Sequence, residues 1–377
     1  MIRKILHIEM SPNRIYGLDI LRAFAILFVM MHHCETMIPS EKFKYLSAFI
    51  FDGVGIFFVL SGFLIGGILI KIIQNRKFGF RELFSFWARR WFRTLPNYIL
   101  VLTLLLTLSG IFRTGFNPLN YADYYVFSQN LFAYHPPFFP EAWSLSVEEW
   151  FYIIVPLLLF GLGFFVKIRP KRDLPVLAVV LIVTVTAFRY YRFINLGQTS
   201  PEEYGLLFMR QVSTRIDGIM FGLIGAYFAF FHQSVWMRFK LPMLVAGLLL
   251  FAFARIVTYG ILGDMMTYVF SFTLTSLATL MLLPFLTTVK SGTGLLFRFF
   301  TYTSLISYSI YLVNFSLVKF WVINRLDWEI LVGRNGYLVI VVKICCFWIF
   351  TYLISTVLYK YFEVPMMNVR DRFSKKE

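Results

Sequence analysis

Gly17-Leu18-Asp19-Ile20-Leu21-Arg22-Ala23 opens an apolar stretch that closes on Met31-His32-His33. An arginine and a histidine thus stand eleven residues apart in what otherwise reads as a membrane helix. At 100° per residue this spacing is about three turns plus 20°, which puts Arg22 and His33 on one face about 16 Å apart. Ionisable groups inside a bilayer are costly and normally face a protein interior or a watery cavity. Arg22 cannot shed its proton and is a fixed cation. His33 can take up and release a proton near neutral pH, and could act as general base or nucleophile. Asp19, three residues before Arg22, is placed to compensate the guanidinium. His32 points about 100° away from His33 and leaves that face. A hydrogen-bonded interior histidine would give the same local sequence.

Two further clusters carry comparable chemistry. In Trp87-Ala88-Arg89-Arg90-Trp91-Phe92-Arg93-Thr94-Leu95-Pro96, Arg90 and Arg93 are one helical turn apart. Paired guanidinium groups hold phosphate bidentately, and a helix N-terminus at the start of the third span would add a favourable field. A plain basic membrane flank also fits the charge count, and Lys71, Arg76, Lys77 and Arg81 read as such a flank. In Trp143-Ser144-Leu145-Ser146-Val147-Glu148-Glu149, a carboxylate could orient an imidazole or bind a polar acceptor. An interfacial acidic pair beside aromatic residues is the plainer alternative. Ser144 and Ser146 have no evident base partner, which argues against a serine nucleophile. Arg215 and Asp217 are 200° apart on an ideal helix, so each needs another partner.

The elements that must hold these residues are membrane helices. The 377 residues are 59% hydrophobic and 20% aromatic with 15% charged, outside the soluble range. Apolar runs of about twenty residues recur along the whole chain and predict an all-α polytopic protein with about ten spans. These are drawn at about 16–36, 52–70, 94–111, 146–166, 174–191, 206–231, 241–260, 265–289, 303–323 and 335–359. The basic-then-apolar start resembles a signal peptide but lacks a small-x-small cleavage site, and is read as a retained first span. The net charge of +16 is not a nucleic-acid signature, because it sits in short segments between apolar runs. One set of segments holds Arg3, Lys4 and Arg14, Lys71 through Arg93, Lys167 through Arg172, Arg238, Lys240, Lys290, Arg298 and a basic C-terminus. The other holds Lys42, Lys44, Arg113, Arg192, Arg325 and Arg334. This asymmetry predicts both termini in the cytoplasm, with short basic tails at about 1–15 and 361–377 around a single membrane domain covering 1–377. The prolines of 112–145 predict a rigid, extended loop. Gly62-x-x-x-Gly66 and Gly218-x-x-x-Gly222 predict close helix packing. Cys34, Cys345 and Cys346 form neither a metal spacing nor a disulfide framework, and no phosphate-binding glycine motif is present.

Taken together, these segments resemble the acyltransferase 3 family of integral membrane acyltransferases over about residues 14–366. The markers occur in order: Gly17-Leu18-Asp19-x-Leu21-Arg22-Ala23 with His33; Gly53-Val54-Gly55 through Ser61-Gly62-Phe63-Leu64; Arg90-x-x-Arg93 with Pro96; Trp143-Ser144-Leu145-x-x-Glu148; Arg215-x-Asp217; Ser307-Tyr308-Ser309-Ile310-Tyr311-Leu312; and Glu363-Val364-Pro365. Each is weak alone, and the seven in sequence order are specific. The resemblance implies O-acylation of bacterial cell-surface polysaccharides or related acceptors from cytoplasmic acyl-coenzyme A, usually acetyl, across the cytoplasmic (inner) membrane. It implies that Arg22, His33, Arg90 and Arg93 are the principal functional residues, with Asp19, Ser61, Asp217, Tyr308, Tyr311 and Asn314 in support. Family members often carry a histidine where this chain has Asn314, which can still hydrogen-bond. An esterase-like module does not follow the membrane core in this sequence, so a two-module relay within the chain is not expected.

The expected mechanism places coenzyme A phosphates on Arg90 and Arg93, with the thioester pointing into the bundle. His33 is the base or covalent carrier, Arg22 stabilises developing charge or the donor, and Glu148 orients His33 or the acceptor. Acyl-coenzyme A is a substrate here; no bound cofactor or metal and no nucleic-acid partner is expected. The partners are the donor, a saccharide or lipid-linked saccharide, and the bilayer. The competing class is a proton-coupled transporter or flippase for an anionic or lipid-linked substrate, since intramembrane Arg, His and Asp suit that role as well.

Overall fold

The computed structural model describes Ile8 and residues 14–39, 46–74, 79–131, 133–165, 167–196 and 200–374. Arg3, Lys4, Lys42, Lys44, Arg76 and Lys77, and the end of the chain from 375, lie outside the described residues. Helix α1 spans Tyr16–His33. It is followed by α2 Gly53–Gln74, α3 Phe80–Phe112, α4 Ala142–Phe165 and α5 Pro170–Leu196. The remainder are α6 Val212–Phe231, α7 Lys240–Thr258, α8 Met266–Leu286, α9 Gly294–Arg325 and α10 Gly336–Val369. Among the described residues there is no strand, and the nine helices after α1 are long and apolar enough to cross a membrane. Helix α1 has eighteen residues and carries Asp19, Arg22, His32 and His33.

The two glycine pairs do what their spacing predicts. Helices α2 and α6 form the most extensive helix–helix contact of the fold. A Cβ at Gly62 would stand 1.9 Å from the Ile219 carbonyl oxygen, and one at Gly222 would stand 2.0 Å from that of Val59. Helix α1 lies against α9, α2 and α8, and a Cβ at Gly17 would meet the Leu286 backbone. Only glycine permits backbones this close.

Several boundaries differ from expectation. Helix α3 begins at Phe80, capped by Glu82 Oε2 accepting from the Gly79 N–H at 3.0 Å, and runs on through Pro96. Arg90 and Arg93 thus lie well inside a helix and receive no N-terminal field. The 112–145 connection is not simply extended. Asn117 accepts from the Leu119 N–H and Pro118 takes the first turn of a 3-10 helix over Pro118–Val126, while Ala142 already belongs to α4. The expected 206–231 span is interrupted at Arg210–Gln211, after a wide π-type turn over Gly205–Met209. Residues from 361 continue helically through Val364–Ser374, with Glu363 buried, so that stretch is no free tail. Further π-type turns occur at Met266–Phe270, Asn314–Val322 and Tyr359–Glu363.

The α2–α6 crossing gives a direct test. Gly222→Ala should cost about 1–3 kcal/mol through overpacking and lower the thermal midpoint of detergent-purified protein. Gly110→Ala, where nothing stands within 4 Å of the added carbon, should leave the midpoint unchanged.

Candidate functional site

Two cavities lie on opposite sides of a shared wall. The first, of about 120 Å³, is lined by Arg22, Ser61, Arg90, Arg93, Glu148 and Tyr308, among others. Asp19 fixes Arg22 from α1. Its carboxylate takes two hydrogen bonds from Arg14, one at 2.8 Å from Ser304, and a looser contact at 3.5 Å from Arg22. Arg22 also donates to Ser304 Oγ at 3.2 Å. Asp19 is therefore shared, and Arg14 is its tighter partner. From α4, Glu148 accepts from the Tyr152 hydroxyl at 2.8 Å, and that hydroxyl meets Ser61 Oγ at 2.8 Å. Glu149 turns away to accept from Thr94 at 2.8 Å, and the Thr94 carbonyl accepts from Tyr308 at 2.7 Å. Beside Arg93 on α3, Asn97 donates to the buried Glu363 at 2.9 Å, and Ser309 donates to the same oxygen at 2.7 Å.

The second cavity, of about 880 Å³, holds His33, Asp52, Glu141, Arg210, Arg255 and Lys319 with an aromatic lining that includes Trp143, Tyr204 and Phe272. His33 Nδ1 is hydrogen-bonded to Asn314 Oδ1. The Asn314 amide nitrogen donates to the Ile310 and Tyr311 carbonyls at 2.8 and 3.0 Å, which fixes which end of the amide faces the ring. An amide oxygen only accepts, so Nδ1 carries a proton, and in the neutral imidazole the lone pair is on Nε2. Of the two roles expected for Glu148, orienting His33 or orienting the acceptor, the geometry gives no contact with His33. Glu148 is engaged with Tyr152 in the arginine cavity, and Asn314 holds the imidazole.

Val54 and Tyr311 line both cavities. The Tyr311 hydroxyl donates to the Glu141 carbonyl at 3.0 Å and pairs with Ser144 Oγ at 2.6 Å. Asp217 lines neither cavity. It forms a buried pair with Arg189 at 2.7 Å, backed by Thr273, while Arg215 pairs with Asp52 at 2.8 Å. The separate partners required by the 200° offset are thus present. Among the described residues, no group of three or more His, Cys, Asp or Glu side chains could hold a metal ion.

This architecture can be set beside known proteins. Residues 15–361 match the acyltransferase domain family. The chain belongs to the acyltransferase 3 family. Among its relatives is O-acetyltransferase OatA of Staphylococcus aureus (strain NCTC 8325 / PS 47), 26% identical over 388 residues, covering 94% of this chain and 58% of that protein. Another is the putative O-acetyltransferase SACOL0978 of Staphylococcus aureus (strain COL), 28% identical over 334 residues, covering 81% of this chain and 50% of the relative. The chain therefore spans about half the length of the curated relatives it matches, 58% and 50% for these two. No solved structure matches it. With nine long apolar helices among its described residues, this acyltransferase 3 chain is a multi-pass membrane protein.

The residues that carry the family resemblance divide between the cavities. Arg22, Ser61, Arg90, Arg93, Glu148 and Tyr308 converge on the small one, His33 opens into the large one, and Tyr311 touches both. Sequence reasoning passed over Glu141, Arg210 and Lys319. Arg210 and Lys319 fall inside drawn apolar spans, the same signal that singled out Arg22. Glu141 offered no such signal, since it follows Pro140 in a loop.

Glu141 is 3% exposed and accepts from the Ser316 N–H at 2.8 Å and the Ser316 hydroxyl at 2.6 Å. Burial pushes its carboxyl up to about 7, against the opposing effect of those hydrogen bonds. A raised carboxyl binds its proton more tightly folded than unfolded, so stability falls as pH rises from the unfolded value, about 4.3, through 7. Glu141→Gln keeps both contacts, with the amide donating to Ser316 Oγ, and removes the titration. The stability difference between Glu141→Gln and the parent should grow in favour of the variant from pH 5 to pH 8, read by thermal unfolding in detergent.

Proposed function

We propose that the chain is an O-acyltransferase, moving an acyl group, acetyl in the simplest case, from acyl-coenzyme A to a hydroxyl of a saccharide or lipid-linked saccharide. The observation that carries this reading is the pair of cavities meeting at Tyr311 and Val54, one lined with guanidinium groups and the other holding an imidazole with a free nitrogen lone pair. Arg90 and Arg93 hold the donor's phosphates at the mouth of the first cavity, where Arg93 is exposed. Arg22, further in, binds the donor arm rather than the reacting atoms at His33. The two residues are about 16 Å apart along α1, a distance suited to an extended pantetheine arm reaching past Tyr311.

At the far end of that arm, His33 Nε2 takes the proton of the acceptor hydroxyl as its oxygen attacks the thioester carbonyl. The carbon–sulfur bond breaks, and the proton passes to the departing thiolate, giving an ester and free coenzyme A. Asn314 holds the ring in the tautomer this step requires. The large cavity suits a sugar in volume and in its aromatic lining. Basic-residue asymmetry supports a cytoplasmic donor side with both termini there, in the bacterial inner membrane. Alternating access by a proton-coupled transporter or flippase also has a structural argument, since two cavities divided by a side-chain wall are what such a cycle needs.

Purified protein in lipid nanodiscs with radiolabelled acetyl-coenzyme A and candidate glycans separates the two. The enzyme releases free coenzyme A with label on the acceptor, whereas a transporter moves substrate without cleaving the thioester. His33→Ala should lower transfer by about 10²- to 10⁴-fold while membrane insertion stays intact. Arg90→Gln and Arg93→Gln should instead raise the donor concentration needed for half-maximal rate. Near-normal turnover by His33→Ala would remove the base from this scheme.

A further inference from the structure

Lys319 is 3% exposed, on the π-type turn of α9, and its ammonium rests 4.6 Å from the centre of the Phe315 ring inside the large cavity. Arg210, at the interruption before α6, reaches the same cavity. Both cations line the same cavity as His33. Among the described residues, no carboxylate comes within ion-pair distance of either one. The acids of the cavity are otherwise engaged. Asp52 is paired with Arg215 at 2.8 Å, Glu141 is held by Ser316, and Glu35 faces His32 at 3.9 Å. A third cation, Arg255, donates to the Ser47 carbonyl and the Tyr259 hydroxyl and lies over the Tyr259 ring. An ammonium this enclosed is costly unless a counter-charge arrives, and an aromatic face compensates only part of that cost.

We propose that the large cavity recognises an acceptor carrying an anionic group, a carboxylate or a phosphate, held between Lys319 and Arg210 beside His33. This deepens the acyl-transfer reading and rests on it for the word acceptor; the anion site itself stands on the cavity. The charge would anchor the acceptor while its sugar ring stacks on the aromatic lining and presents a hydroxyl to Nε2. A carboxylate would come from an acidic sugar, and a phosphate from a lipid-linked saccharide.

The test is binding to the full chain in nanodiscs, read by tryptophan fluorescence with Trp143 in the cavity. The probes are a glucuronate-terminated disaccharide, its uncharged methyl ester, and a short-chain polyprenyl-phosphate disaccharide beside the same disaccharide on an uncharged polyprenol. At least one charged probe should bind about ten- to a hundredfold more tightly than its uncharged counterpart, as charge-assisted hydrogen bonds require. The probe that does so names the source of the anion. Lys319→Met and Arg210→Gln should each remove most of that preference, and Lys319→Arg should keep it, which separates lost charge from lost folding. Equal binding of charged and uncharged probes, or a preference unchanged in Lys319→Met, overturns the proposal. Coenzyme A release is measured on the same samples. Release without charge preference sinks only the anion site, and charge preference without release from any acceptor sinks only the acyl-transfer reading.

Discussion

A guanidinium group cannot neutralise itself to enter a bilayer, so every arginine inside this bundle has to be met by something fixed. The fold meets that demand with its own side chains for four of them. Asp19 and Ser304 meet Arg22 and Arg14, Asp217 and Thr273 meet Arg189, and Asp52 meets Arg215. The Asp19 pairs are local in sequence, but the networks built on them and on the other two pairs join different helices. Asp19 on α1 accepts from Ser304 on α9, and Arg189 on α5 reaches both α6 and α8. Losing one partner of such a buried pair typically costs about 3–5 kcal/mol, so these pairings set which helices may be neighbours.

Within that frame, α1 plays two parts. Its first turns carry Arg22 into a narrow cavity with the α3 arginines, and its last turn carries His33 into a wide one. The helix is a ruler between them. Because the α2–α6 crossing leaves no room for a side chain at Gly62 or Gly222, α2 sits firmly behind this ruler, and its Val54 joins Tyr311 in the wall.

Much of this was legible because charge in an apolar run is expensive and therefore conspicuous. Arg22, Arg90, Arg93 and Glu148 stood out by type, and the structure brings these four around one cavity. The glycine spacings announced the tightest crossing. The partition into two cavities was not legible, because it is made by residues from helices distant in sequence, and the π-type turn that carries Asn314 and Lys319 has no proline or glycine to announce it. The start of α3 was misread because aromatic and basic residues at 86–93 look like a flank, while Glu82 capping Gly79 makes them helix. Lys319 and Arg210 carried the same warning as Arg22 and were submerged in longer apolar runs.

The hydroxyl of Tyr311 is tied to Glu141 and Ser144, so its ring is a latched shutter rather than a loose side chain. An activated thioester is thermodynamically ready to hydrolyse, and on the proposed reading the wide compartment is where water would find it. Fidelity in such a device rests on keeping the donor behind the shutter until a hydroxyl richer in contacts than water occupies the far chamber. The tether to Glu141 runs through a backbone carbonyl, and the same residue's carboxylate grips Ser316 one residue beyond Phe315, whose ring lies tilted against that of His33. The ring between the two chambers and the turn that carries Phe315 are therefore both held by a single loop residue, Glu141.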